Sequence, residues 1–223
     1  LKDIRVGGRS LQDVVAIGWS RSVCRIFGLR LDAVGNVPPG PQLIVANHIS
    51  WIDITVMHSV ASMGFVSKAE IRKWPVIGFI ASVGGTVFHQ RGCRDSASGV
   101  AHQMGERLRE GGNVAIFPEG GILPGDGIKR FHGRLFAAAI ETGSPVQPLM
   151  LRYLRDGGHD HDMTFLPGER FLGNFFRLLS LGPCVAHVEV LPRIESAGKQ
   201  RRPLAGEAEA SVRQAYEADT SGA

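Results

Sequence analysis

The sequence lacks the cysteine patterns that bind zinc or hold small secreted domains together. Its three cysteines, Cys24, Cys93 and Cys184, lie far apart, and no Cys-x-x-Cys pair occurs. Such a set predicts neither a zinc site nor a disulfide framework. Free thiols fit a reducing compartment, and we interpret these three as small buried or idle side chains.

Long apolar runs and abundant aromatic residues are also missing. No apolar run reaches the ~18 residues that a bilayer-spanning helix needs, and no signal-peptide pattern occurs. Aromatic residues make up only 7% of the chain, without the basic-aromatic interleaving typical of RNA-binding proteins. The net charge of +4 still favours an anionic partner. We therefore expect a membrane surface or a phosphorylated metabolite as partner, and no nucleic acid.

Several catalytic and nucleotide-binding signatures do not occur. Without a Gly-x-Ser-x-Gly elbow, a serine hydrolase is not indicated. Without a Gly-x-x-x-x-Gly-Lys-Ser/Thr loop or a Gly-x-Gly-x-x-Gly turn, nucleotide hydrolysis and dinucleotide binding are disfavoured.

The composition instead fits one large folded domain with appendages, since 43% of the 223 residues are hydrophobic. Residues 10–29 have the apolar spacing of an amphipathic helix. This helix either packs on its own domain or lies in the membrane interface with Trp19 and Phe27 inward. The predicted organisation has three parts: an N-terminal amphipathic helical segment, an α/β domain, and a polar tail with helical spacing over its middle, at 1–36, 37–195 and 196–223.

Strand-like and helix-like segments alternate through the central part. The strands are expected at 43–46, 64–67, 86–88, 114–117, 146–153 and 187–191. The helices between them are expected at 52–60, 75–82, 95–109 and 131–141. This alternation predicts an α/β fold with a mixed, largely parallel sheet flanked by helices. Ligands bind such sheets outside the carboxyl ends of the strands.

Two motifs follow predicted strands and should therefore meet at one edge of the sheet. The first is Asn47-His48-x-x-x-x-Asp53, and the second is Phe117-Pro118-Glu119-Gly120. His48 can accept a proton near neutral pH, and Asp53 can fix the tautomer of its ring. The competing interpretation is a histidine that caps the next helix, with Asp53 favourable in the first turn of that helix.

Together these motifs resemble the glycerolipid acyltransferase family, specifically bacterial 1-acylglycerol-3-phosphate acyltransferases and their lyso-ornithine-lipid relatives. The resemblance runs roughly from Trp19 to Leu191 in four ordered blocks. These are the two motifs above, the segment Gly85–Arg91 and the segment Pro145–Pro148. The segments Lys68–Glu70 and Trp74–Gly78 are also similar to the family.

The resemblance implies an acyl transfer to a lyso-lipid, with His48 removing the proton of the acceptor hydroxyl and Asp53 holding the ring. The donor would be acyl-CoA or acyl carrier protein, and no metal or cofactor is implied. Lys68, or backbone N–H groups near His48, would stabilise the tetrahedral oxyanion. The enzyme would lie on the cytoplasmic face of the inner membrane as a peripheral or monotopic protein.

The acceptor site also follows from the resemblance. Arg91 would bind the acceptor phosphate, because a guanidinium group matches phosphate oxygens; otherwise it forms a surface ion pair. Glu119 and Gly120 would shape the acceptor site; otherwise they belong to a turn after a strand. The preferred acceptor is 1-acylglycerol-3-phosphate, and lyso-ornithine lipid is the alternative.

Two residues depart from the family pattern. Gln90 stands where an aspartate is common, and Gly121 where a threonine is common. These changes leave the acceptor head group open. They also support a rival interpretation, a non-catalytic lipid-binding protein of the same fold. A thioesterase, in which the same base activates water, is the third alternative.

Three further segments have competing interpretations. His159–Asp162 is interpreted as a solvated loop rather than a metal site. The apolar segment 171–179 either contacts lipid, walls an acyl-chain tunnel or forms a core helix. Lys129, Arg130 and Arg134 either hold anionic head groups or are ordinary solvated charges.

Overall fold

The structure is a computed structural model that describes residues 4–6, 9–68, 87–89, 94–122 and 127–218. Its centre is one mixed, mostly parallel sheet with strand order β3-β10-β8-β4-β7-β5-β6, and β9 pairs with β8 at the side. The strands are β3 Leu29–Val34, β4 Leu43–Ala46, β5 Gly64–Lys68, β6 Val87–His89, β7 Val114–Ile116, β8 Val146–Arg155, β9 Gly158–His159 and β10 Cys184–Val190. A separate antiparallel pair, β1 Arg5–Val6 and β2 Arg9–Ser10, precedes them.

Helices flank this sheet, as the alternation in the sequence predicts. The α-helices are α1 Leu11–Ile26, α2 Asp53–Val60, α3 Arg94–Arg109, α4 Ala137–Thr142, α5 Phe171–Ser180 and α6 Arg201–Ala218. Short 3-10 turns occur at Gly133–Phe136 and His161–Met163. The predicted α/β class is therefore confirmed.

The four residues of β4 show why the strand is apolar throughout. Ile44 and Ala46 face a core that includes Trp51 of the following turn. Leu43 and Val45 face a second core on the other side of the sheet. Both faces of the central sheet are thus covered, which is typical of parallel strands.

The predicted helix at 10–29 forms as α1 and ends at Ile26. Ser10 accepts a hydrogen bond from the backbone N–H of Asp13 and so caps it. Ile17 and Val23 are buried, and α1 packs on α2. Phe27 is also buried, in contact with the ring of Trp51, so this side chain faces the core and not a lipid phase.

The sequence predicts a helical segment over 1–36, but part of this segment, Leu29–Val34, forms strand β3. This strand pairs in parallel with β10, which lies more than 150 residues further along the chain. The predicted helix at 131–141 begins as a 3-10 turn at Gly133. The backbone of Arg201 lies so close to Gly133 that a Cβ there would approach its carbonyl oxygen to 2.8 Å.

The polar tail contains a helix, α6, which buries one face. Leu204, Ala208 and Val212 are fully buried against the second core. The predicted helix at 75–82 lies outside the described residues. The domain boundaries at 37 and 196 stay predictions. None of the helices in the described ranges is both long and apolar enough to cross a bilayer.

The cysteine interpretation holds for the two described thiols. Cys24 and Cys184 are free and buried, and burial raises the pKa of each to about 12. Cys93 lies outside the described residues.

Candidate active site

Two neighbouring parallel strands deliver the two motifs to the same edge of the sheet. Val45 of β4 is paired with Ile116 of β7, so the residues that follow each strand emerge side by side. His48 follows β4, and Glu119 follows β7. Both side chains border one cleft at this edge. The geometry agrees with the rule that ligand sites lie outside the carboxyl ends of parallel strands.

Asp53 holds the turn between β4 and α2 in one conformation. Its Oδ2 accepts hydrogen bonds from Nδ1 of His48 at 2.8 Å and from the backbone N–H groups of Ile49 and Ser50 at 2.7 and 2.9 Å. Its Oδ1 accepts a hydrogen bond from the hydroxyl of Tyr153 at 2.7 Å. The carboxylate is completely buried, and these four donors satisfy it.

The bond to Asp53 defines the chemistry open to His48. Because Nδ1 donates to a carboxylate, the lone pair of the neutral ring lies on Nε2. The side chain of His48 is 13% exposed, so it is held in the protein and still reachable from solvent. This arrangement fits a general base, and His48 does not cap α2.

Phe117 fixes the plane of the His48 ring from the side of β7. The two rings are stacked, with centroids 3.8 Å apart and an angle of 7° between planes. Phe65 of β5 stacks behind Phe117 at 5.6 Å. The first residue of the second motif therefore orients the histidine of the first.

Asn47 ties the same turn to β8. Its side-chain amide donates to the carbonyl oxygen of Leu151 at 2.9 Å, and its Oδ1 accepts from the N–H of Leu151 at 2.8 Å. The backbone pairing of β4 with β8 ends at Ala46 and Leu149. The asparagine side chain thus extends that ladder beyond the end of the strand.

Glu119 is a buried carboxyl group beside His48. Burial raises its pKa to about 7, and the nearby charge of Asp53 acts in the same direction. The backbone N–H groups of His48 and Lys129 oppose this rise. Among the described residues, Oε1 of Glu119 has no hydrogen-bond partner. A buried oxygen of this kind, at the edge of a cleft, can accept a hydrogen bond from a ligand.

Gly120 allows the turn that places Glu119. Its φ of +85° lies in the left-handed region, which other residues adopt only with strain. Its N–H donates to the carbonyl oxygen of Phe117 at 3.2 Å and closes the turn. Gly121, the departure from the family pattern, has open space where a Cβ would stand.

The cleft around His48 extends toward the C-terminal part of the chain. Besides the residues above, its lining includes Ile49, Gly127, Lys129, His159, His161, Thr164 and Tyr216 of α6. Lys129 places a cation beside Glu119. Lys129, His159 and His161 thus border the candidate site.

Not every predicted site residue can be placed. Lys68 is the last residue of β5, and its side chain is not among the described groups. Arg91 and Gln90 lie outside the described residues. Asp160 binds Arg155 at 2.7 Å, and no cluster of three potential metal ligands occurs in the described ranges.

Sequence reasoning missed the contribution of Tyr153 and the orienting contacts of Asn47 and Phe117. Tyr153 lies in an apolar strand 100 residues beyond Asp53. Its only sequence signal is a hydroxyl group in a strand that is otherwise mostly aliphatic. Asn47 and Phe117 stand inside the two motifs, but spacing alone does not give their partners.

Comparison with known proteins decides the family. A family model described as Acyltransferase matches residues 30–152, more than half of the chain. The chain belongs to the acyltransferase family. The matched region contains both motifs and ends within strand β8. The predicted resemblance is therefore confirmed, and as a member of this family the chain is an acyltransferase.

Two curated relatives of this acyltransferase carry different substrate names. The lyso-ornithine lipid O-acyltransferase of Pseudomonas aeruginosa is 39% identical over 195 residues, which cover 87% of this chain and 75% of the relative. The 1-acyl-sn-glycerol-3-phosphate acyltransferase of Neisseria gonorrhoeae is 35% identical over 145 residues, which cover 65% of this chain and 57% of the relative.

A solved structure has the same fold as the acyltransferase. The 1-acyl-sn-glycerophosphate acyltransferase of Thermotoga maritima superposes with a TM-score of 0.72 at 20% identity. The match covers 92% of this chain and 78% of the other. At this identity the likeness shows the fold alone.

Proposed function

We propose that this acyltransferase moves a fatty acyl group from an acyl thioester to the free hydroxyl of a lyso-lipid, with His48 as general base. One observation carries the proposal: Nδ1 of His48 is bound to a buried aspartate while the ring borders a cleft that Glu119 also lines. The names of the relatives support a lyso-lipid acceptor.

The reaction follows from the position of Nε2, the ring nitrogen of His48 that does not bind Asp53. Nε2 of His48 takes the proton from the acceptor hydroxyl, and the oxygen attacks the carbonyl carbon of the thioester. The C–S bond of the resulting tetrahedral intermediate then breaks, and the leaving sulfur takes the proton back from the imidazolium. Asp53 stabilises that imidazolium and keeps the ring in place. General-base assistance of this kind contributes roughly 10²–10⁴ in rate.

Residues around His48 also support a binding site for the lyso-lipid acceptor. Oε1 of Glu119, which has no partner among the described residues, accepts a hydrogen bond from the acceptor, and Gly120 sets the turn that presents it. The cation of Lys129 is placed to attract an anionic head group. The proposal also includes two roles that rest on the family resemblance alone. Lys68 stabilises the oxyanion, and Arg91 binds the phosphate of a phosphate-bearing acceptor.

For the acceptor we propose lyso-ornithine lipid, although the sequence motifs alone rank 1-acylglycerol-3-phosphate first. The support is the Pseudomonas aeruginosa relative, with its higher identity and wider coverage. Gly121 and Gln90, which depart from the family pattern, also favour a changed head group. The second candidate, 1-acylglycerol-3-phosphate, is supported by the Neisseria gonorrhoeae relative.

The donor and the location complete the proposal. Acyl carrier protein and acyl-CoA both supply the thioester that the reaction needs. Since acyl thioesters are made in the cytoplasm, the proposed location is the cytoplasmic face of the inner membrane.

The test is thiol release from an acyl thioester with and without each lyso-lipid. Acceptor-dependent release supports transfer, and the preferred acceptor is the one with the higher kcat/KM. Release without an acceptor would indicate a thioesterase, and tight lyso-lipid binding without release would indicate a binding protein.

His48→Ala is the matched variant for this test. We expect it to lower kcat at least about a hundredfold, because the base is lost while the fold is kept. His102→Ala is the control, since His102 is an exposed histidine on α3, with 69% of its side chain accessible. If His48→Ala keeps more than about a tenth of the wild-type rate, the assigned base is wrong.

A further inference from the structure

Helix α5 exposes one apolar face to solvent. Leu172, Phe176 and Leu179 are 66%, 64% and 40% exposed, and their spacing of four and three residues places them on one side of the helix. The opposite side is buried through Asn174 and Leu178. A stripe of large apolar side chains on an otherwise well-packed helix is typical of a surface that binds a partner.

The residue after α1 contacts the middle of this helix. Phe27 contacts the ring of Phe175, with centroids 5.2 Å apart. Its neighbour Ile26, the last residue of α1, is 66% exposed. We define the docking face as Leu172, Phe176 and Leu179 of α5.

Positive charge brackets the docking face. Arg170 is exposed immediately before α5. At the other end, Gly28 lies against Gly182, which follows the helix, and Arg25 and Arg30, close to Gly28 in sequence, are exposed. An apolar stripe with cations at both ends complements a surface that is apolar inside and anionic outside.

The acidic group nearest to the start of α5 is already neutralised. Glu169 binds Nε of Arg177 at 2.8 Å, and this contact holds the pKa of Glu169 at about 2. Its Oε2 also accepts a hydrogen bond from Asn174 at 2.8 Å. The carboxylate of Glu169 therefore adds little net negative charge beside the docking face, next to the exposed Arg170.

The buried side of α5 rests on the turn that carries the base. Trp51, which lies between His48 and Asp53 in sequence, contacts the rings of Phe171 and Phe175 at 5.4 and 5.8 Å. Its indole N–H donates to Oδ1 of Asn174 at 2.8 Å. A partner that binds the outer side of α5 is thus one helix away from the candidate catalytic turn.

We propose that the docking face binds the surface of a lipid bilayer that contains anionic lipid. This inference rests on the proposed function, since a lyso-lipid acceptor resides in a bilayer, and it names the surface through which the enzyme reaches it. The interfacial role that the sequence suggests for Trp19 and Phe27 of the first helix is not supported. Phe27 is buried and Trp19 is partly covered.

The test is co-sedimentation of the full chain with vesicles of phosphatidylcholine, with and without phosphatidylglycerol. We expect stronger binding to the anionic vesicles. The double variant Leu172→Gln/Phe176→Gln should weaken that binding at least about tenfold, because two side chains no longer bury apolar surface in the interface. Arg170→Gln should weaken binding to anionic vesicles only.

Two matched variants control for the loss of an exposed apolar side chain. Val34→Gln changes a side chain on β3 that is 50% exposed, and it should keep wild-type binding. Val15→Gln changes an exposed side chain of α1. A large loss with Val15→Gln and none with the double variant would assign the contact to α1 and overturn the proposal.

Two more readouts complete the design. Light scattering detects the competing occupant, a second copy of the chain. If the double variant turns a dimer into a monomer and leaves vesicle binding unchanged, the docking face is a dimer interface.

Turnover is measured on a lyso-lipid dispersed below its micelle-forming concentration. The double variant should keep wild-type kcat there, whereas a wild-type protein that binds vesicles but transfers no acyl group would refute only the proposed function.

Discussion

The hydroxyl of Tyr153 donates a hydrogen bond of 2.7 Å to Oδ1 of Asp53, the oxygen that does not contact His48. Tyr153 is buried, and burial raises the pKa of its hydroxyl well above the ordinary value, so it stays a donor. The carboxylate is therefore held from both sides, by the histidine and by the tyrosine. The structure thus links β8 to the base through one aspartate.

Tyr153→Phe should lower kcat about tenfold and leave KM for the acceptor within about twofold, because Asp53 loses a donor while the cleft keeps its shape. Steady-state kinetics with varied acceptor separate the two constants. In an Asp53→Asn background the same change should have little further effect, since the tyrosine acts through the aspartate. Equal losses in both backgrounds would mean that Tyr153 acts independently of Asp53.

Glu119→Gln should stabilise the protein more at pH 8 than at pH 5. The folded pKa of Glu119 is about 7, above its ordinary value of 4.5, so the fold favours the protonated form. That contribution is complete below pH 4.5 and is lost as the pH rises through 7. Glutamine is neutral at every pH and avoids this loss, so melting temperatures should diverge from wild type as the pH increases.

The matched control is Glu141→Gln, an exposed carboxyl group on α4. It should show no such divergence between the two pH values. A shift in melting temperature that is equal at pH 5 and pH 8 would contradict a protonated Glu119.

His58→Leu should remove a decrease in the free energy of unfolding that the wild-type protein shows at low pH. Burial lowers the pKa of His58 from 6.5 to about 4, and the charge of Arg107 adds to the effect. Below pH 6.5 the unfolded chain binds a proton that the folded chain does not, so the free energy of unfolding falls as the pH drops toward 4. The full difference is about 3 kcal/mol.

Denaturant titration from pH 7 to pH 4 measures this difference. Neither ring nitrogen of His58 has a hydrogen-bond partner among the described residues, so leucine sacrifices no hydrogen bond seen there. His102→Leu, at an exposed position, should leave the pH dependence as in wild type. A wild-type-like slope in His58→Leu would show that His58 is not the group responsible.

The edge on which the candidate site lies could be predicted because both motifs directly follow strand-like segments. His48 and Glu119 each follow an apolar strand, and parallel strands that are neighbours place their carboxyl ends together. Strand β3 could not be predicted in the same way. It is mostly exposed, and its partner β10 lies far along the chain. Its hydrophobic pattern therefore carries little signal, and only the sheet explains it.

The contacts that orient the base were beyond sequence reasoning for a similar reason. Tyr153 reaches Asp53, and Asn47 reaches Leu151, across about 100 residues each. Spacing identifies pairs on one turn or one helix, whereas these pairs depend on which strands become neighbours. The motif identified His48 and Asp53, whereas only the strand order shows that Tyr153 and Leu151 lie next to the motif.

Asn47 has a consequence for how the integrity of the site can be followed. The backbone N–H of Leu151 donates to Oδ1 of Asn47, with 2.8 Å between N and O, and not to the backbone of a neighbouring strand. That hydrogen is therefore protected from exchange with solvent only while the loop after β4 keeps its folded position. The rate at which this hydrogen exchanges for deuterium therefore reports whether the loop that carries His48 is folded, and the measurement needs neither substrate nor turnover.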